Sequence, residues 1–210
     1  MQKQQISYTS PLDALVAVAK RLSLYENQHN MSSEDLLTKG IDENGNIRSE
    51  ATHQFKDSAI GRIPVEWDVR KIGELSYIEN GTTPSRENPI FWHEGTIPWL
   101  TTGQVHDRFI FQSNEFISEY ALRLCSLKIL PVGTILIAMI GQGLTRGKAA
   151  YLGFESSINQ NFAAIIPNQL FNSRFLFHYL DFNYEYVRGA SQGSNQQALN
   201  SSVVSNLKVV

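Results

Sequence analysis

Two short segments of this 210-residue chain resemble motifs that bind phosphate or transfer a methyl group. The first, Gly141–Lys148, is similar to a phosphate-binding loop. A P-loop needs a glycine five residues before its last glycine and a Ser or Thr after its lysine, but Gln142 and Ala149 occupy those positions. The dinucleotide fingerprint fails as well, because Arg146 stands where its third glycine belongs. A nucleotide-binding enzyme that uses this loop is therefore only an alternative interpretation.

The second segment, Asn88–Phe91, resembles the Asn-Pro-Pro-aromatic motif of amino-methyltransferases, but Ile90 replaces the second proline. No glycine-rich cofactor motif accompanies it. The five histidines have no partners at metal-ligand spacing, and no Gly-x-Ser-x-Gly nucleophile motif occurs. With Cys125 as its single cysteine, the chain can form neither a disulfide framework nor a zinc site built from thiolates. We expect no catalytic residue, no metal and no cofactor in this chain.

The composition is that of a globular chain. There are 18 Lys and Arg against 20 Asp and Glu, a net charge of −2, and 42% of the residues are hydrophobic. These values exclude an intrinsically disordered chain, and the length allows one large domain or one domain with an appendage. The longest apolar stretch, Ile129–Ile140, is interrupted by Pro131 and Gly133 and is shorter than the roughly twenty residues of a membrane-spanning helix. We expect a soluble, cytoplasmic protein.

The charges are distributed unevenly along the chain. Residues 61–120 carry 5 basic and 9 acidic groups, a net of −4, whereas residues 121–180 carry 5 basic groups and 1 acidic group, a net of +4. The second stretch could form a positive surface that attracts phosphates, or its cations could be scattered over a solvated surface. Both interpretations stay open. The near-neutral total allows a nucleic-acid partner but argues against tight DNA binding by the chain alone.

The spacing of apolar residues predicts an α+β fold. Helices are predicted over 11–22, from the cap Ser32 or Ser33 to Gly40, over 118–125 and over 173–187. Strands are predicted over 67–72, 97–100, 134–140, 149–152 and 162–166. Because strands and helices do not alternate regularly, we expect a mixed or antiparallel sheet. We divide the chain into a helical extension with a linker, residues 1–58, and one domain, residues 59–210.

Four segments between these elements are rich in short amide and hydroxyl side chains, beside cations and aromatic residues. Asn and Gln can bond adenine in the major groove, Arg and Lys can bond guanine, and Ser or Thr can serve base or phosphate. Ordinary turn chemistry is the alternative explanation. We expect Gln104 to read adenine, and Arg146 and Lys148 to contact phosphate or base edges. The candidate DNA-binding residues are Thr82, Thr83, Ser85, Arg86, Thr101, Thr102, Gln104, Gln142, Thr145, Arg146, Lys148, Ser191, Gln192, Asn195 and Gln196.

The run Phe55–Trp67 resembles the segment that opens target recognition domains of type I restriction enzyme specificity subunits. Several further matches follow in the order that this family shows, and Gly40–Arg48 resembles the lead-in of the same proteins. The ordered set, rather than any single match, makes the resemblance specific over residues 55–210. The further matches are Gly81–Ser85, Ile97–Leu100, Leu130–Thr134, Gly147–Ala150, Asn159–Asn161 and Ser191–Ser194.

The resemblance implies a non-catalytic subunit that reads one half of a bipartite site in double-stranded DNA. In that family, methylation subunits transfer a methyl group from S-adenosylmethionine, and restriction subunits hydrolyse ATP and cut with Mg²⁺. We expect these subunits to be partners and to hold the cofactors. The chain ends at Val210, where the family's spacer helix would begin, so it resembles a half subunit, natural or a fragment, and we expect that it can self-associate. A protein-docking module without DNA contact is a further alternative.

Overall fold

The computed structural model describes residues 32–191 and 199–210 of the chain. The strands are β1 (Phe55–Ser58), β2 (Gly61–Pro64), β3 (Arg70–Lys71), β4 (Ile78–Asn80), β5 (Ile97–Leu100), β6 (Phe109–Ile110), β7 (Glu115–Ile117), β8 (Ile135–Ala138), β9 (Ala149–Leu152), β10 (Ser157–Ile158), β11 (Phe162–Ile165) and β12 (Lys208–Val209). The helices are α1 (Ser33–Thr38), α2 (Ile72–Leu75), α3 (Glu119–Leu124), α4 (Ser173–Phe182), α5 (Tyr184–Gly189) and α6 (Ser201–Ser205), with 3₁₀ helices at Pro89–Phe91 and Thr102–Asp107.

The centre of the fold is a five-stranded sheet in the order β4-β11-β8-β9-β6. Neighbouring strands are antiparallel except for β6 and β9, which are parallel. Every residue of β8 and β11 is buried, as expected for apolar strands that are covered on both faces. The predicted α+β class with a mixed sheet is confirmed.

A second sheet, β10-β5-β7, lies beside the first and combines a parallel pair with an antiparallel pair. It packs on α3 and on the 3₁₀ helix Pro89–Phe91 through a small core of Phe91, Trp99, Ile117, Ala121 and Leu127. Helix α3 begins as predicted, because the Ser118 hydroxyl accepts a hydrogen bond from the Ala121 amide at 3.1 Å. This sheet is therefore held by its own aromatic cluster.

Helix α4 covers one face of the central sheet. The Asn172 side chain caps it by accepting from the Phe175 amide at 2.9 Å. The predicted single helix over 173–187 is wrong, because two helices meet at Asn183. The Asn183 side-chain amide donates to the Tyr179 carbonyl at 2.8 Å. In a continuous helix this carbonyl would accept a hydrogen bond only from the backbone amide of residue 183.

The segment before residue 58 packs into the same core as the sheet. Helix α1 begins at Ser32, whose hydroxyl accepts from the Asp35 amide at 3.0 Å, and ends before Gly40 at φ +64°, which confirms the prediction. Leu36, Leu37 and Ile41 are at most 2% exposed. They join the cluster that contains α4 and β8. The expected domain boundary between residues 58 and 59 lies inside the hairpin of β1 and β2, and the predicted helix over 11–22 lies outside the described residues.

The predicted strand over 67–72 is wrong in most of its length. Only Arg70 and Lys71 are extended, and they pair with Lys208 and Val209. Helix α2 follows at Ile72, because the Glu74 carboxylate accepts from the Lys71 amide at 3.4 Å and caps the turn. Among residues 32–191 and 199–210, no helix has the length and apolar character needed to cross a membrane.

Burial of Tyr179 predicts a loss of stability at alkaline pH. Burial raises the pKa of this phenol to about 12, and the nearby Tyr186 adds to the shift. The unfolded chain ionises near the ordinary value of about 10, so this contribution to stability is complete below pH 10 and is lost as the pH rises through 12. We expect the free energy of unfolding of Tyr179→Phe to fall less steeply than that of the wild type from pH 10 to 12, measured by urea titration. Equal slopes would contradict the assignment.

Candidate functional site

Most of the predicted loops lie at one end of the central sheet. Strands β4 and β8 are both antiparallel to β11, so the chain leaves β4 and β8 at the end where it enters β11 and β9. Strand β6 is parallel to β9, so β6 also begins at this end, and the segment before it ends there. We call this region the loop end. It consists of residues 81–86, 101–107, 141–148 and 159–161.

The first contact at the loop end joins residues 81–86 to residues 158–160. The Thr82 amide donates to the Ile158 carbonyl at 3.2 Å, and the Thr83 hydroxyl donates to the Gln160 side-chain oxygen at 2.5 Å. The Trp99 indole donates to the Thr82 carbonyl at 3.1 Å and fixes the loop to β5. Gly81 allows the close approach, because a Cβ atom there would overlap the Ile158 carbonyl group. Thr82 and Gln160 remain exposed.

The remaining contacts continue the same line across the sheet. The Met139 amide donates to the Asn161 carbonyl at 2.8 Å, where β8 passes into the loop 141–148. His106 Nε2 and Thr145 Oγ1 are 3.1 Å apart and join that loop to the 3₁₀ helix Thr102–Asp107. These contacts therefore connect the four segments at the loop end.

The loop 141–148 is a hairpin connection that lies against α5. Its amides donate within the hairpin, from Thr145 to the Gln142 carbonyl and from Gly147 to the Ala138 carbonyl at 2.9 Å. Arg188 donates to the Arg146 carbonyl at 3.1 Å, and the Tyr184 hydroxyl donates to the Leu144 carbonyl at 3.1 Å. A phosphate-binding loop presents free amides before a helix, whereas these amides are bonded and a strand follows.

The structure gives Gln104 a role within the protein. Its side chain is 6% exposed, donates to the Gln112 carbonyl at 3.0 Å and accepts from the Asn114 amide at 3.4 Å. In this arrangement the amide holds the segment 112–114 and does not face the surface. Base reading by Gln104 stays a prediction. Thr101 and Thr102, at the start of the same 3₁₀ helix, are half-buried.

The backbone at the end of this 3₁₀ helix is constrained by Arg108. This residue has φ +60° and ψ −53°, a conformation that L-residues rarely adopt. The Arg108 guanidinium donates to the Asp181 carboxylate at 2.7 Å, and the Arg108 carbonyl accepts from the Tyr151 amide at 2.7 Å. These bonds to α4 and β9 fix the direction in which the chain leaves the loop end.

The cations of residues 121–180 do not form a single patch at the loop end. Arg123 pairs with Glu119 at 3.3 Å within α3. Lys128 pairs with Glu79 at 2.5 Å, and this hydrogen bond raises the pKa of the Lys128 amine. Arg146 and Lys148 belong to the loop end and are half-buried.

The other predicted residues occupy different environments. Gln142 and Ser85 are exposed, and the Ser85 carbonyl accepts from the Trp92 indole at 2.9 Å. Arg86 stacks on Trp92 and pairs with Glu115. Ser191 is buried at 3% exposure. Gln192, Asn195 and Gln196 lie outside the described residues.

Two loop-end residues, His106 and Gln160, were not among the predicted site residues. Both are exposed. Gln160 lies in the segment Asn159–Asn161 that contributed to the family resemblance, so the sequence contained a signal for it. His106 follows Gln104 by two residues and could have been included with that loop. In the described parts of the chain, no group of three His, Cys, Asp or Glu side chains is arranged to hold a metal ion.

Comparison with known families decides the identity of this fold. Residues 64–210 match the family described as the type I restriction modification DNA specificity domain. The chain belongs to this specificity-domain family. The match covers the central sheet, the second sheet and all four segments of the loop end.

Curated relatives of the specificity-domain family share moderate identity with the chain. It is 31% identical over 164 residues to the type I restriction enzyme MjaIX specificity subunit of Methanocaldococcus jannaschii, covering 74% of this chain and 36% of that protein. It is 24% identical over 143 residues to the EcoR124I/EcoR124II specificity subunit of Escherichia coli, covering 68% and 35%. The chain thus spans about a third of the length of these relatives.

Solved structures share the fold of this chain. The HsdS subunit from Thermoanaerobacter tengcongensis aligns with a TM-score of 0.51 at 18% identity, covering 74% of this chain and 35% of that one. A chain from a study of complex assembly and conformational transition of the type I R-M system aligns with a TM-score of 0.52 at 18% identity, covering 70% and 34%.

Gly81 should be essential to the assembly of the loop end. In Gly81→Ala the new methyl group would push residues 81–86 away from β10, so we expect a loss of about 1–3 kcal/mol of stability. Gly189, in α5, has no heavy atom within 4 Å of an added Cβ, so Gly189→Ala should be neutral or stabilising by up to about 1 kcal/mol. Urea unfolding of both variants measures the difference. The same midpoint shift in both would show that residue 81 is not closely packed.

Proposed function

We propose that the chain is a DNA sequence-specificity module of a type I restriction-modification system. It reads one half of a bipartite double-stranded site with the side chains of the loop end. The observation that carries the proposal is the meeting of four polar segments at one end of the sheet, in a chain of the specificity-domain family. The chain spans about a third of the length of its curated relatives. That it works within a complete assembly on a complete bipartite site is therefore part of what we propose.

The loop end offers the chemistry that base edges require. Gln142 and Gln160 are exposed amides that can donate to and accept from adenine. The Gln160 oxygen already accepts from Thr83, but its second lone pair and the two N–H donors of the amide can still bond a base. Thr82 and Thr83 offer hydroxyl groups for a base or a phosphate, and Lys148 offers a positive charge. Because Gln104 is bonded to Gln112 and Asn114, we assign it to the support of this surface and give the base-reading role to the exposed glutamines.

We further propose that partner subunits perform the chemistry. The net charge of −2 leaves much of the phosphate neutralisation to other chains. Methylation and restriction subunits would bind S-adenosylmethionine, ATP and Mg²⁺, and this chain would direct them to the site. DNA as the ligand implies that the assembly works in the cytoplasm.

The alternative of a nucleotide-binding enzyme finds no support in the loop 141–148. A nucleotide phosphate would need amides that point out of the loop, and those of Thr145, Gly147 and Lys148 donate to carbonyl groups of the hairpin. A helix N-terminus would add a favourable dipole, but β9 follows the loop.

Two exposed glutamines at opposite ends of β11 give a matched test of the proposed surface. Gln160 precedes the strand at the loop end, and Gln169 follows it at the other end. In the enzyme assembled with its methylation subunits, we expect Gln160→Ala to relax the recognised sequence at one position, since a lost bidentate contact costs about 1–3 kcal/mol. We expect Gln169→Ala to leave the sequence unchanged. Genome-wide mapping of methylated sites measures both.

The proposed reading surface is contradicted if Gln160→Ala methylates the same sequence at the same occupancy as the wild type. It is also contradicted if Gln169→Ala relaxes the sequence to the same extent.

A further inference from the structure

We propose that Arg86, whose guanidinium lies over the Trp92 ring, is a binding site for one phosphate of the DNA backbone, and that Glu115 occupies this site until DNA displaces it. The proposal rests on the proposed function, because it requires DNA at the loop end. It identifies a backbone phosphate as the ligand of Arg86 and gives Glu115, which no sequence pattern singled out, a role in lowering the affinity for DNA.

The position of Arg86 is set by two tryptophans. Its guanidinium carbon lies 3.7 Å from the centroid of the Trp92 ring and 5.1 Å from that of Trp99. Both indoles are anchored to the loop that carries Arg86, since Trp92 donates to the Ser85 carbonyl at 2.9 Å and Trp99 donates to the Thr82 carbonyl at 3.1 Å. Trp99 is 1% exposed, and the two rings pack edge to face. The platform under the guanidinium is therefore fixed.

Stacking leaves the hydrogen-bonding edge of the guanidinium available. The interaction with Trp92 uses the flat face of the group, whereas its N–H donors point outward in the plane. One of them, on Nη1, reaches the Glu115 carboxylate at 2.5 Å. Because the Arg86 side chain is 52% exposed, a phosphate from solution can approach the same edge. A phosphate offers the geometry that a guanidinium can bind through two parallel hydrogen bonds.

Glu115 is placed to leave without disturbing the fold. Its backbone lies in β7, opposite Trp99 of β5, and its carbonyl accepts from the Ser113 hydroxyl at 2.7 Å. These bonds hold the main chain, and only the carboxylate has to rotate away from Arg86. The pair is solvated, and such pairs are weak, so a phosphate can replace the carboxylate at little cost.

The consequence is a threshold against DNA that makes too few contacts. Each DNA must displace Glu115 before Arg86 contributes, and the cost is the same for every sequence because a phosphate contact carries no sequence information. Competition from a carboxylate in the same chain thus lowers the affinity for every DNA by the same factor, so a DNA without base contacts stays bound for less of the time.

The test compares two glutamate variants in the enzyme assembled with its methylation subunits. Glu115→Gln removes the carboxylate beside Arg86, and Glu119→Gln removes one from the Glu119–Arg123 pair on the neighbouring helix. We expect Glu115→Gln to bind a random-sequence duplex about two- to five-fold more tightly, the size of an exposed ion pair. We expect Glu119→Gln to change this affinity by less. A third variant, Arg86→Ala with Glu115→Gln, should bind the random duplex no more tightly than the wild type. The slope of its log K against log salt should be shallower by about 0.9, the value for one lost phosphate contact.

The results separate the two proposals. A wild-type complex that shows no preference for its own methylated sequence contradicts the proposed function. A complex with that preference, in which both single variants bind random DNA equally or the gain survives Arg86→Ala, contradicts the phosphate site alone. Thermal unfolding of each variant shows whether the fold is retained.

Discussion

Strands β8 and β11 are buried on both faces of the sheet, and this burial determines where polar residues can lie. All eight residues of these two strands are buried, and the strands lie side by side in the middle of the sheet. Polar side chains have no place on such strands, because a buried polar group needs a partner and the faces offer only apolar ones. The polar residues are consequently confined to the segments where the strands begin and end. Antiparallel pairing then brings several of those segments to one end.

The second sheet extends this end of the molecule. Strand β5 leads into the loop end at Thr101, and β10 leads through Asn159 and Gln160 to the start of β11. The Asn159 amide donates to the Leu100 carbonyl at 2.9 Å, which continues the pairing of β10 with β5 to the loop end. Trp99, buried in the core of the second sheet, holds the loop that contains Thr82. The arrangement of the loop end therefore depends on packing in the second sheet as much as on packing in the central one.

Local sequence patterns could predict the elements but not most of the contacts between them. The apolar runs of β8 and β11 and the cap residues Ser32 and Ser118 act over a few positions, and the corresponding elements were predicted. The Thr83–Gln160 bond joins residues 77 positions apart, and the Arg86–Glu115 pair joins different elements. Gln104 appears in the sequence as a polar residue after a strand, and only the fold of residues 112–114 around it explains its burial. Pairing between distant segments also decided that residues 70–71 are the only extended part of the predicted strand over 67–72.

Hydrogen exchange of the assembled enzyme, with and without a duplex that contains its own methylated sequence, shows whether DNA binds at the loop end. We expect DNA to slow exchange in residues 81–86, 101–107, 141–148 and 159–161. We expect no change at the opposite end of the sheet, in residues 130–134 and 167–171. Protection of the opposite end, or a stable DNA complex with no protection in the four loop-end segments, would rule out DNA reading by the loop end.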